Sequence, residues 1–291
     1  MTHASEPGAF RVGIVGAGTI AAVHCAALAN VIHLYPGLAL KPRVVAVADI
    51  NHALAERLAA RFGIDRVAAD WSELVSSEDV DLVVACLPPA ANRDVVLAAA
   101  AAGKHVVCEK PLGISTAEAA EMLEACRRAG VFHGIAAGYR WSPAVREIRT
   151  LIESGELGEI RSMRASFMLD YGADPATPLL WRFRKSLSGG GIAIDTGYHL
   201  VDCARYLVGE IVAIQGLTRT FITERPLPAS DAIGNRGAGA TLGASAAGMG
   251  QVDVEDAAVR LEVLLPNLLA MMANKVKGRL KKEGQLLLEK K

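Results

Sequence analysis

The sequence predicts an α/β protein in which a doubly wound parallel sheet is followed by an α+β domain, and three observations predict it. Short apolar runs recur at 11–16 (RVGIVG), 43–48 (RVVAVA), 81–87 (DLVVACL) and 105–108 (HVVC). Runs without polar alternation suit strands that are covered on both faces. Helical patterns separate them at about 19–31, 52–62 and 91–102, and strands alternating with helices are the signature of parallel crossover units. From about residue 143 the pattern changes to longer alternation and glycine punctuation, which marks a second domain.

The remaining elements follow in chain order. A helix at 116–129 can be capped by Ser115 or Thr116 and is stopped by Gly130, and 131–137 returns as one more strand. The first domain is therefore drawn as 1–137 and the second as 138–291. A helix at 144–154 opens after Pro143 and ends at Gly155 and Gly158, and 159–170 alternates as a strand would. Gly189-Gly190-Gly191 lead into a helix of about 192–208 that ends at Gly209, and 211–224 reads as a further strand. Residues 226–250, rich in Gly, Ala, Ser and Pro, read as a long loop. Beyond them, 266–282 has the pattern of an amphipathic helix, with short strands conceivable at 259–265 and 285–289. The last stretch, 275–291, carries seven Lys or Arg against two Glu and reads as a solvated basic tail. The alternative, a patch for anionic lipid or nucleic acid, lacks interleaved aromatic residues.

Composition narrows the function. Lys plus Arg and Asp plus Glu each number 31, so no global field gathers polyanions, and neither nucleic acid nor a membrane is expected as a partner. Five cysteines at wide spacings, without a CxxC pair, fit neither a disulfide framework nor a structural zinc site. Reduced thiols and a cytoplasmic location follow, and the N-terminus shows no basic region leading into an apolar one. No metal is expected.

The chemistry begins at the first strand. RVGIVG runs into Gly16-Ala17-Gly18-Thr19-Ile20-Ala21 and then a helix, where backbone amides and the helix N-terminus can receive a pyrophosphate. Gly16 permits the tight turn, Gly18 admits a phosphate to the main chain, and Ala21 is small where strand and helix pack. The context favours a dinucleotide-binding turn over the blander reading, an ordinary turn with small residues for packing. The second strand ends at Asp49, whose carboxylate can accept from the ribose hydroxyls of NAD and would repel the 2′-phosphate of NADP. The blander reading of Asp49 is a helix cap.

With the turn, Asp49 and Cys108-Glu109-Lys110-Pro111-Leu112 in register, the chain resembles the Gfo/Idh/MocA family of nicotinamide-dependent sugar and inositol oxidoreductases. Leu87-Pro88-Pro89 with Asn92, Tyr139-Arg140-Trp141-Ser142-Pro143 and Trp181-Arg182-Phe183 extend the likeness over residues 10–225. The resemblance implies that Gly16, Gly18, Thr19, Ile20, Asp49, Leu87, Pro88, Asn92, Glu109 and Lys110 meet NAD, and that Arg140, Lys110, Asp195 and His199 meet the substrate. Lys110 precedes a proline at a strand end, which holds it extended and aims its ammonium at the carboxyl edge of the sheet. On one continuous helix Asp195, His199 and Asp202 would share a face.

Lys110, Asp195 and His199 match the family's catalytic set, with His199 as general base. A satisfied interior His199 facing Asp195, or a metal site of Asp195, His199 and Asp202 that lacks a clear fourth ligand, are the competing readings. The expected reaction moves hydride between a secondary alcohol of a sugar, inositol or related polyol and NAD. The expectation from another class is a non-catalytic dinucleotide-binding sensor or a truncated relative. After 252–259 the likeness fails and the second domain's open sheet is expected to be incomplete; a homodimer or homotetramer is expected where that sheet is intact.

Overall fold

The computed structural model describes residues 9–167, 170, 172–228 and 249–251. Its first part runs β1 (Ala9–Val15), α1 (Thr19–Leu34), β2 (Lys41–Ala48), α2 (His52–Phe62), β3 (Arg66–Val67), α3 (Trp71–Ser76), β4 (Leu82–Ala85), α4 (Pro89–Ala101), β5 (His105–Cys108), α5 (Thr116–Ala129) and β6 (His133–Ile135). The six strands pair in parallel in the order β3-β2-β1-β4-β5-β6. The order reverses beside β1, and that reversal opens the crevice at the carboxyl ends of β1 and β4 where such sheets bind ligands.

The unbroken apolar runs supply both faces at once. In β4, Val83 and Ala85 enter one core with Val95, Ala99 and Met122, whereas Val84 enters the other with Val12, Ile14, Val47 and the α1 residues Ala21 and Cys25. Each fully buried Val, Leu or Ile contributes roughly 1.5–3 kcal/mol of transfer free energy, so the doubly covered sheet is the stable body that carries the phosphate turn. Caps fix where its helices start. Asn51 accepts from the Leu54 amide, and Ser115 rather than Thr116 accepts from the Glu118 amide. The strand β3 and helix α3 have no counterpart in the sequence expectations, because a strand of two residues and a helix of six carry too little period to read.

The second half departs further from the expected elements. It contains α6 (Pro143–Glu153), a 3₁₀ turn at Trp181–Phe183, α7 (Lys185–Ser188), α8 (Gly191–Asp195), α9 (Gly197–Val208) and β7 (Glu224–Pro226), which pairs antiparallel with β8 (Met249–Gln251). The single helix expected over 192–208 is broken at Thr196, since a β-branched residue followed by glycine disfavours continuation. Of the strand expected at 159–170, the described residues show only an isolated bridge at Ala165, and of 211–224 only Glu224 enters a ladder. Val212 is 100% and Leu217 91% exposed; alternation gives a segment a face, but a strand also requires a partner for its backbone groups. The expectations for 259–265, 266–282, 275–291 and 285–289 lie outside the described residues, as does most of 226–250.

The described residues divide into two compact units. One comprises those within Met1–Ala137, Leu169–Tyr198 and Leu217–Ala258, the other those within Gly138–Met168, His199–Gly216 and Val259–Lys291. Among the described residues no helix is long and apolar enough to cross a membrane.

Candidate active site

The glycine turn is built for close approach. Gly16 has φ +93°, and a Cβ there would stand 2.5 Å from the Cys86 carbonyl oxygen and 3.1 Å from the Leu87 side chain, so β1 and the turn after β4 touch backbone to backbone only because the residue is glycine. Helix α1 begins at Thr19 with Gly18 as its cap, which has no side chain to offer its amides, and a helix N-terminus is where an anion is received. Asp49 at the end of β2 accepts from the Ala17 amide at 2.6 Å and from the Asn51 amide at 2.7 Å. Gly16, Gly18, Thr19, Ile20, Asp49, Leu87 and Pro88 are thus gathered at one edge of the sheet. Each Asp49 oxygen keeps lone-pair capacity for a hydroxyl, and the residues fit a dinucleotide.

The second cluster lies at the end of β5. Lys110 Nζ donates to Asp195 Oδ1 and to the Asp195 carbonyl oxygen, both at 2.8 Å, while Arg182 Nε donates to Asp195 Oδ2 at 2.9 Å. The Asp195 side chain is 4% exposed and those of Lys110 and Arg182 are 15% and 16%. Glycine makes this encounter possible. At Gly189, φ is +76° and a Cβ would lie 2.8 Å from the Ile114 carbonyl oxygen, so the turn into α8 presses on the backbone just beyond Lys110. Gly189→Ala should therefore cost about 1–3 kcal/mol through positive-φ strain and the backbone clash. Chemical denaturation of both proteins measures this, and an unchanged midpoint would show that the backbone yields.

Two further predicted residues support the lysine from the interior. Asn92 is fully buried and its amide donates to the carbonyls of Pro111 and Leu112, each at 3.2 Å. Glu109 bonds His24 Nε2 through Oε1 at 2.9 Å and accepts the Lys110 amide through Oε2 at 3.1 Å. These contacts tie the chain on either side of Lys110 to α4 and α1. Cys108, next in line, is no nucleophile: burial, reinforced by Glu109, pushes its thiol up to about 12, and burial pushes Cys25 up to about 11.

His199 and Arg140 belong to the other unit. The His199 ring lies 4.3 Å from that of Tyr139 and 6.0 Å from that of Phe167, in one aromatic group. Arg140 forms a two-pronged ion pair with Asp202, through Nε at 2.9 Å and through Nη2. The continuous helix expected to carry Asp195, His199 and Asp202 is interrupted at Thr196. Asp195 ends α8, whereas His199 and Asp202 lie on α9, where Asp202 pairs with Arg140.

Two family models account for most of the chain. Residues 10–136 match the oxidoreductase family with an NAD-binding Rossmann fold, and residues 145–261 match the GFO/IDH/MocA C-terminal domain. The chain belongs to the Gfo/Idh/MocA family. Its first part is the NAD-binding Rossmann domain of that family. Levoglucosan dehydrogenase of Pseudarthrobacter phenanthrenivorans is 37% identical over 84% of this chain and 62% of its own length. The scyllo-inositol 2-dehydrogenase (NAD(+)) of Bacillus subtilis is 31% identical over 71% of this chain and 56% of its own. A solved levoglucosan dehydrogenase in complex with NADH and levoglucosan superposes with a TM-score of 0.74 at 33% identity, covering 85% of this chain and 62% of that one. The chain thus spans about three-fifths of the length of these levoglucosan dehydrogenase chains.

In this Gfo/Idh/MocA chain the sequence reading missed two site residues, Arg182 and His24. Arg182 carried a signal, a cation set between Trp181 and Phe183, but its partner could not be read. His24 carried none, because a lone histidine on a helix is most often a packed one. Among the described residues, no three His, Cys, Asp or Glu side chains converge as a metal set.

Proposed function

We propose that this chain is an NAD-dependent dehydrogenase acting on a secondary alcohol of a sugar, inositol or related polyol. The observation that carries the proposal is the lysine ammonium held on a buried aspartate at the carboxyl edge of an NAD-binding sheet. The names of the sugar and inositol dehydrogenases that the chain resembles support the substrate class. Bound NAD supplies the hydride acceptor. Two N–H groups of Lys110 go to Asp195, and the third is assigned to the substrate oxygen, where it stabilises negative charge as the hydroxyl proton leaves. His199 takes that proton on an imidazole nitrogen. Arg140, whose guanidinium Asp202 orients, is assigned to the substrate.

Residues 1–137 are assigned as the dinucleotide-binding domain and 138–291 as the substrate-binding and oligomerisation domain, the chain associating as a dimer or tetramer through the latter. All five cysteines are free thiols, which supports the cytoplasm as the setting. The test is oxidation of a panel of anhydrosugars, pyranoses and inositols, followed as NADH formation at about 340 nm. Turnover of one of them is expected, whereas a chain that binds NAD and oxidises none would be the non-catalytic sensor.

Cofactor choice has its own test. Asp49 should favour NAD over NADP at least tenfold, about 1.4 kcal/mol, and Asp49→Ser should narrow the gap by removing the charge that repels a 2′-phosphate. Calorimetric titration with both dinucleotides decides, and equal affinities in the starting protein would sink the assignment.

A further inference from the structure

We infer that Arg182 is a positioning residue that acts on the reaction through Asp195, an inference that deepens the proposed dehydrogenase reading and rests on it for its kinetic part. Both oxygens of one buried carboxylate are engaged, Oδ1 by Lys110 Nζ at 2.8 Å and Oδ2 by Arg182 Nε at 2.9 Å. A carboxylate held by a single donor can pivot about its Cβ–Cγ bond. One held at both oxygens cannot, and the direction of the lysine ammonium is then set by the arginine on the far side. Fixing a reacting group's direction within tenths of an ångström is what supporting residues contribute to a site.

The arginine is itself immobilised. Its guanidinium carbon lies 4.1 Å over the Trp181 ring, and the next residue, Phe183, is fully buried. Phe183 in turn packs under the guanidinium of the buried Arg225, 4.0 Å from its ring centroid. A chain of rigid contacts thus ends on Asp195 Oδ2. A planar guanidinium suits this task better than an ammonium, since its donors are fixed in direction.

Arg182→Gln, in the full chain with NAD bound, should lower kcat about 10–100-fold, the loss found for residues that orient a functional ligand from behind. Affinity for NAD should not change. Asp195→Asn combined with Arg182→Gln should be no slower than Asp195→Asn alone, because Arg182 then has no carboxylate to hold. Losses that multiply would overturn the inference. Crystal structures of the starting protein and of Arg182→Gln provide a readout that needs no turnover. The Asp195 carboxylate is expected to rotate and Lys110 Nζ to leave Oδ1, and an unchanged Lys110–Asp195 pair would overturn the inference whatever the kinetics. Should Arg182→Gln not fold, Arg182→Lys faces the same two measurements with the charge retained. If no sugar is oxidised by the starting protein, the dehydrogenase reading fails, and the crystal structures alone decide the positioning role.

Discussion

Lys110→Ala should lower kcat by about 10²–10⁴-fold with a much smaller loss of NAD affinity, the result expected when a group that stabilises developing charge is removed. The ammonium is the donor that the proposal assigns to the reacting oxygen, and alanine supplies neither charge nor hydrogen bond. Folding should survive, because Asp195 retains Arg182 and the polypeptide around residue 110 is still held by Asn92 and by Glu109 with His24. Dinucleotide binding should survive because Gly16, Asp49 and α1 make their contacts without Lys110. His199→Ala should be comparably slow, and the double variant should lose little beyond the worse single one, since groups that act as a unit are not additive. The measurement is steady-state kinetics on an identified sugar beside a calorimetric NAD titration. Full turnover by Lys110→Ala would remove the lysine from the mechanism while leaving cofactor and fold in place.

Arg225→Ala should destabilise the first unit by roughly 3–5 kcal/mol, among the largest effects a single substitution produces. The side chain is fully buried, and its guanidinium donates to the carbonyls of Asp174 at 2.9 Å, Thr177 at 3.3 Å and Gly172. Alanine would leave those carbonyls without their cationic donor and open a cavity against the Phe183 ring. Arg225→Met fills most of the volume and should cost less, which separates the hydrogen-bond part from the cavity part. The functional consequence follows from position. The segment that Arg225 ties down leads directly into Trp181-Arg182-Phe183, so loosening it should also slow turnover through Arg182 and Asp195. Urea denaturation of the three proteins measures the effect, and a loss below about 1 kcal/mol for Arg225→Ala would show that the guanidinium's desolvation offsets its bonds.

Some of this architecture was legible because it is local. The strands and crossover helices announce themselves through apolar runs and caps, each decided within about ten residues. The glycine turn was legible from its motif after β1, although the close approach that requires Gly16, to the Cys86 carbonyl after β4, is tertiary. The split of 192–208 into α8 and α9 was less legible. Helical spacing treats the run as one helix, whereas Thr196-Gly197 interrupts it, and the partner of Asp202, Arg140, lies 62 residues away in the chain. The alternation of 211–224 reported a two-faced segment correctly but not whether a neighbour pairs with it.

By itself the sequence determined five of the six parallel strands, the glycine turn after β1, Asp49 at the end of β2 and Lys110 at the end of β5. Only the tertiary structure decided what Lys110 touches. The Lys110–Asp195 bond joins residues 85 apart and the Arg182–Asp195 bond residues 13 apart, and both depend on the turn at Gly189 lying against the Ile114 backbone. Propensity and periodicity act along the chain over one or two turns, whereas the energy of a buried ion pair depends on distance and desolvation in space, which no window of sequence contains.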